Sequence, residues 1–77
     1  MQVQYDTEAD ALYVRLEAGE VARTRRLDSS RAVDYRADGA VVGVEFLSVS
    51  KGVRLEGVPE VERIGAALAS IHSLSTA

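Results

Sequence analysis

Seventy-seven residues, 47% apolar and 27% charged, with a formal net charge of −3 and no cysteine, describe one domain spanning residues 1–77. That composition excludes a disulfide scaffold, a Cys-ligated zinc module and a thiol enzyme for want of sulfur, and a second core for want of length. Below about 80 residues a single core seldom supplies more than about 3–5 kcal/mol, so association with another chain is expected before any motif is read.

Val3 and Tyr5 alternate with Gln2 and Gln4, which predicts a short half-buried strand. Asp6 to Asp10 is a polar turn, because short carboxylates bond nearby backbone N–H groups. Ala11 to Leu16 alternates cleanly, with Leu12, Val14 and Leu16 on one face. These two strands predict a hairpin. Ala18-Gly19-Glu20 turns the chain into a polar strand over Val21 to Leu27, whose arginines suit a sheet edge. Val33 and Tyr35 mark a fourth strand, and Asp38-Gly39 is the strongest turn signal.

Ala40 to Val49 is the longest apolar strand. Its alternation puts Val42, Val44 and Phe46 on one face, and Val41, Leu47 and Val49 on the other. Two apolar faces predict a central strand covered by a helix or a second chain. Gly43 within it predicts a bulge or a close backbone approach. Val53 to Leu55 reads as a short extended piece. A helix follows over about 59–72, with Pro59 in its first turn and Val61, Ile64, Leu68 and Ile71 on one stripe. The predicted class is therefore α+β. An antiparallel meander of four to five strands within 2–55 is followed by one C-terminal helix, packed on the sheet or on a partner subunit.

Charge is unevenly placed. Residues 1–20 hold five acids and one base, 21–36 five arginines and two acids, and 37–77 five acids and three bases. The first ten residues show neither a basic cluster nor a leader-like apolar run, and no stretch approaches a membrane span, so a cytoplasmic protein is expected.

Two local patterns go further. Tyr5-Asp6-Thr7-Glu8-Ala9-Asp10-Ala11-Leu12-Tyr13 and, later, Asp34 followed by Gly39, Gly43 and Glu45 resemble the small prokaryotic family known as domain of unknown function 2283. The resemblance covers about residues 3–50. The matching positions are Tyr5, Asp6, Glu8, Asp10, Leu12, Tyr13, Asp34, Gly39, Gly43 and Glu45. It implies a small β-rich domain with a C-terminal helical element and no established activity. It also implies that an antitoxin-like partner of a small toxin-like protein is one role to test.

Asp6, Glu8, Asp10 and Glu17 mimic the spacing of a calcium-binding loop, but Ala11 stands where that loop needs glycine. A turn whose carboxylates cap backbone N–H groups is the better reading. Asp10, Asp34 and Glu45 are the candidate acid–base groups, although a chain this small hardly encloses a catalytic pocket. Glu45, in the most apolar strand, is expected to pair with Arg15, Arg25 or a tyrosine, since a lone buried carboxylate costs several kcal/mol.

Arg23, Arg25, Arg26 and Arg31 form a basic cluster that Arg15 would join. His72 is a helix-end residue, and a triad of it with Ser48 or Ser50 is not supported by spacing. No cofactor or metal is expected.

The function expected is thus a non-enzymatic protein–protein interaction module, homo-oligomeric as a dimer or higher. Val41, Leu47, Val49, Ile64, Leu68 and Ile71 are the interface candidates. One alternative is a small enzyme with a carboxylate site at a subunit interface. The second is nucleic-acid binding through Arg23, Arg25 and Arg26, which an acidic chain disfavours.

Overall fold

Alternating polar and apolar residues close β1 (Gln2–Asp6) onto β2 (Ala11–Arg15) as the expected hairpin. The computed structural model, which describes residues 1–70, continues with β3 (Arg23–Asp28), β4 (Arg31–Tyr35), β5 (Val41–Leu47), a 3-10 turn (Val49–Lys51) and α1 (Val61–Ala69). All strand pairs are antiparallel, in the order β1-β2-β5-β4-β3. The class is α+β, as the alternation predicts. The meander comes in two runs: after β2 the chain crosses to the far edge, and β3, β4 and β5 return from it. The most apolar strand therefore ends in the centre and the arginine-rich strand at an edge, both as expected.

The faces of β5 differ from the simple alternation. Asp34 lies opposite Gly43 but Tyr35 opposite Val41, so Val42 is an extra residue. A one-residue insertion exchanges the faces on either side of it. Val41 thereby joins Val44 and Phe46 in the core instead of facing Glu45 and Leu47.

The strand also ends earlier than predicted. Ser48 adopts a left-handed backbone (φ 55°) and turns the chain into the 3-10 turn, so Val49 leaves the sheet. At the other end of the hairpin, Gly39 (φ 90°) takes the left-handed position that the Asp-Gly turn requires.

The core joins Leu12, Val14 and Leu16 of β2 and its end to Val33, Val41, Val44 and Phe46, and to Val58, Ile64 and Ala67. The helix lies on this face, over β1 and β2. It begins two residues later than expected. Pro59 precedes the N-cap residue Glu60, whose φ of 56° reverses the chain before Val61. Val58, not Val61, fills the core at this end, and Val61 is exposed. Arg63 ties the helix to the end of β2, donating to the Leu16 carbonyl and the Glu17 carboxylate. Ile71 and His72 lie outside the described residues, as does the predicted helix end.

Candidate functional site

One sheet face carries the core and α1; the opposite face has no element over it among the described residues. Across that open face run two neighbouring rows. The first is Gln4, Tyr13, Glu45, Ala32 and Arg26, and the second is Gln2, Arg15, Gly43, Asp34 and Thr24. Tyr13, Asp34, Gly43 and Glu45, far apart in sequence, thus become near neighbours.

Gly43 makes their contact possible. A methyl group there would fall on the Tyr13 ring and hydroxyl and on the Val14 carbonyl. Without one, the ring lies across the β5 backbone, and the Tyr13 hydroxyl donates to Asp34 Oδ2 at 2.8 Å. The Thr24 hydroxyl donates to Asp34 Oδ1. Burial, and then the hydrogen bond to the Asp34 carboxylate, push the Tyr13 phenol well above its usual pKa, with the charge of Glu45 adding to the rise. Tyr13 is therefore a persistent donor and a poor base. Sequence spacing points to Gly43 as a close approach but carries no sign of Thr24.

Glu45 departs from expectation. It is half-buried, directly opposite Tyr13, and no hydrogen bond or ion pair engages it among the described residues. Tyr13 gives its hydroxyl to Asp34 instead. Arg15 reaches the Gly19 carbonyl at 2.9 Å, and Arg25 sits on the helix-bearing face, opposite Val33. With no side-chain polar atom buried without a partner among the described residues, the Glu45 carboxylate reaches solvent. A depression of about 190 Å³ lies beside it, lined by Gln4, Asp6, Ala11, Leu12, Tyr13 and Glu45. A larger groove, about 520 Å³, lies on the helix side between β1 and α1, lined by Met1, Val3, Tyr5, Ala66, Ala67 and Ser70. It holds none of the candidate carboxylates.

The acidic turn behaves as a turn. Asp6 Oδ1 accepts the Glu8 and Ala9 amides at 3.0 and 3.1 Å. Asp10 (φ 52°) accepts the Ser50 amide and hydroxyl, tying the first hairpin to the 3-10 turn. Asp10 is thus engaged away from the Tyr13–Asp34 contact. Among the described residues no three His, Asp or Glu side chains gather as a metal site.

The expected basic cluster divides. Arg31 is the buried charged residue (8% exposed) and belongs to the scaffold. It donates to Asp28 Oδ2 and to the Arg54 and Glu56 carbonyls, clamping the segment before α1 onto β4. Arg54 reaches the same Asp28 oxygen at 2.7 Å. The bond from Arg31 first, and then those from the Ser30 amide and hydroxyl, hold the Asp28 carboxyl well below the usual carboxylate range. Arg15 lies on the face opposite Arg23 and Arg25 and does not join them. Arg23 stacks 5.0 Å from the Tyr35 ring centroid, Arg26 donates to the Ser29 carbonyl at 3.2 Å, and both are exposed, with Arg25 between them.

Of the interface candidates, Val41 and Ile64 are buried within this chain's own core. The bulge removes Val41 from the open face, and α1 carries Ile64 under the sheet. Leu47 remains on the open face at intermediate exposure, while Val49 and Leu68 pack against the core.

The profile of a family described as protein of unknown function, DUF2283, matches residues 2–50. The chain belongs to the DUF2283 family. The match spans all five strands and stops before α1, so the DUF2283 portion comprises the whole sheet, including the Tyr13–Gly43–Asp34 contact. No curated protein and no solved structure matches the chain. No helix among the described residues is long and apolar enough to cross a membrane.

Proposed function

We propose that this chain is a non-enzymatic cytoplasmic interaction module that pairs with a second copy through the sheet face opposite α1. The observation that carries this reading is the open row Tyr13, Glu45, Ala32 and Arg26, in which a half-buried carboxylate with no partner among the described residues lies two strands from an exposed arginine. A two-fold axis over Ala32 sets the Glu45 of each copy against the Arg26 of the other, a self-complementary pattern suited to an isologous dimer. Tyr13 and Leu47 supply contact area beside it.

Five strands at about 4.8 Å and five residues at about 3.4 Å give a face of about 400 Å² per copy. That is small for a stable complex, so the dimer is expected to depend on protein concentration.

Light scattering and sedimentation across a concentration series test this reading. Glu45→Lys should abolish the dimer and Arg26→Glu should weaken it, while the double exchange restores it. A strict monomer at every concentration overturns it. An antitoxin-like role, with a small toxin-like protein on the same face, is a more specific form of this reading. Co-purification with the product of the neighbouring gene tests that form.

A further inference from the structure

The outer edge of β3 is a second surface, which shares Thr24 and Arg26 with the open face and adds Arg23 and Arg25. β3 pairs with β4 on one side and, among the described residues, with no strand on the other. Residues 23–26 are all exposed, and α1 lies at the opposite side of the sheet, over β1 and β2. An edge strand of this kind presents a free row of N–H and C=O groups along its length.

The charges along this edge are what set it apart. Of the other arginines, Arg31 and Arg54 are neutralised by Asp28, Arg36 by Asp38, and Arg63 by Glu17 and Glu60, while Arg15 reaches only the Gly19 carbonyl. None of the ion pairs among the described residues uses Arg23, Arg25 or Arg26. A chain whose net charge is −3 therefore sets three arginines outside any ion pair among the described residues side by side on one strand edge. Arg23 and Arg25 share one side of that edge; Thr24 and Arg26 share the other. The opposite edge, β1, carries no base between Gln2 and Asp6.

Arginines on an edge deter pairing between identical basic strands. They do not deter, and they attract, a strand of opposite charge. We infer that β3 is a docking edge for an extended acidic segment of another protein, which adds as a sixth strand by backbone pairing. An antiparallel partner then places carboxylates opposite Arg23 and Arg25 on one side and opposite Arg26 on the other. A β-branched residue falls opposite Thr24. Backbone pairing gives affinity and the three carboxylates give selectivity. Nucleic acid is the competing ligand for a basic edge. It is disfavoured by the chain's net charge, and because Tyr35, the aromatic ring at this edge, is already covered by Arg23.

The test uses the full chain and a fluorescent hexapeptide with three glutamates in that pattern. A glutamine analogue and a single-stranded oligonucleotide serve as the other probes. The acidic peptide should bind, with an affinity that falls as salt rises. Arg25→Gln, and then Arg23→Gln added to it, should each weaken binding by about two- to fivefold. Both positions are exposed, so the variants should melt as the parent does. Hydrogen exchange should slow at the β3 amides when the peptide is present, which simple charge attraction would not produce. Equal binding of the glutamine analogue, unchanged exchange in β3, or tighter binding of the oligonucleotide overturns the inference. Failure here leaves the Glu45–Arg26 dimer standing, because neither Arg23 nor Arg25 faces it.

Discussion

On the face under α1, Leu12, Val14, Phe46 and Ile64 meet through buried area. On the opposite face, Tyr13, Thr24 and Asp34 meet through donors and acceptors. β2 contributes to both sets, one residue out of step, with Leu12 and Val14 on one face and Tyr13 on the other. Area is forgiving of shape and demands volume. A hydrogen-bonded contact across a glycine demands position and contributes little volume. The covered face therefore provides most of the stability, whereas the open face provides a defined arrangement of polar groups that leaves Glu45 unengaged.

The largest effect should come from volume. Phe46, next to the last residue of the central strand β5, is 1% exposed. Phe46→Ala should cost about 3–5 kcal/mol, as much as the core of a domain this small supplies. Loss of a cooperative unfolding transition in urea is the expected result. Glu45→Ala, one residue away on the other face, should stay within about 0.5 kcal/mol of the parent. Similar losses from the two would mean that the faces are not energetically distinct.

A smaller effect should come from position. Gly43→Ala adds one methyl group where the Val14 carbonyl would stand 2.7 Å away and the Tyr13 ring nearer still. It should cost about 1–3 kcal/mol through strain, with no volume removed. Tyr13→Ala should relieve part of that strain, so the double variant should be less damaged than the sum of the single changes. Full additivity in a urea double-mutant cycle would show that Tyr13 and Gly43 do not share a contact.

The covered face was the legible one. Its signal is local: the alternation of Leu12, Val14 and Leu16, the Asp38-Gly39 turn and the spacing of Ile64 to Leu68 each lie within a few residues. The open face depends on pairs far apart in the chain, with Tyr13 and Asp34 separated by 21 positions. Alternation cannot supply such a pair without the strand order. The extra residue at Val42 is equally hidden, because a run of valines reads the same in either register. Gly43 alone hinted at it. Arg31 looks like its basic neighbours in the sequence, since nothing local shows that the Arg54 and Glu56 carbonyls will close over it.

The mildest prediction separates the two faces by pH. The raised pKa of Tyr13 means that the folded state holds the phenolic proton more tightly than the unfolded chain does. Below about pH 10, the ordinary tyrosine value, both states are protonated and this contribution is fully present. As pH rises above that value the unfolded state loses its proton first, so stability declines until the folded phenol also ionises. Tyr13→Phe should cost about 0.5–1.5 kcal/mol at neutral pH, by loss of the bond to Asp34. It should also flatten the alkaline decline. The core residues do not titrate, so a conservative change among them, such as Val44→Ala, should lower the whole curve without altering its slope above pH 10. Melting temperatures measured from pH 7 to 11 check both outcomes. An alkaline decline unchanged in Tyr13→Phe would mean that the phenol is not held by Asp34, and the open face would lose the contact that defines it.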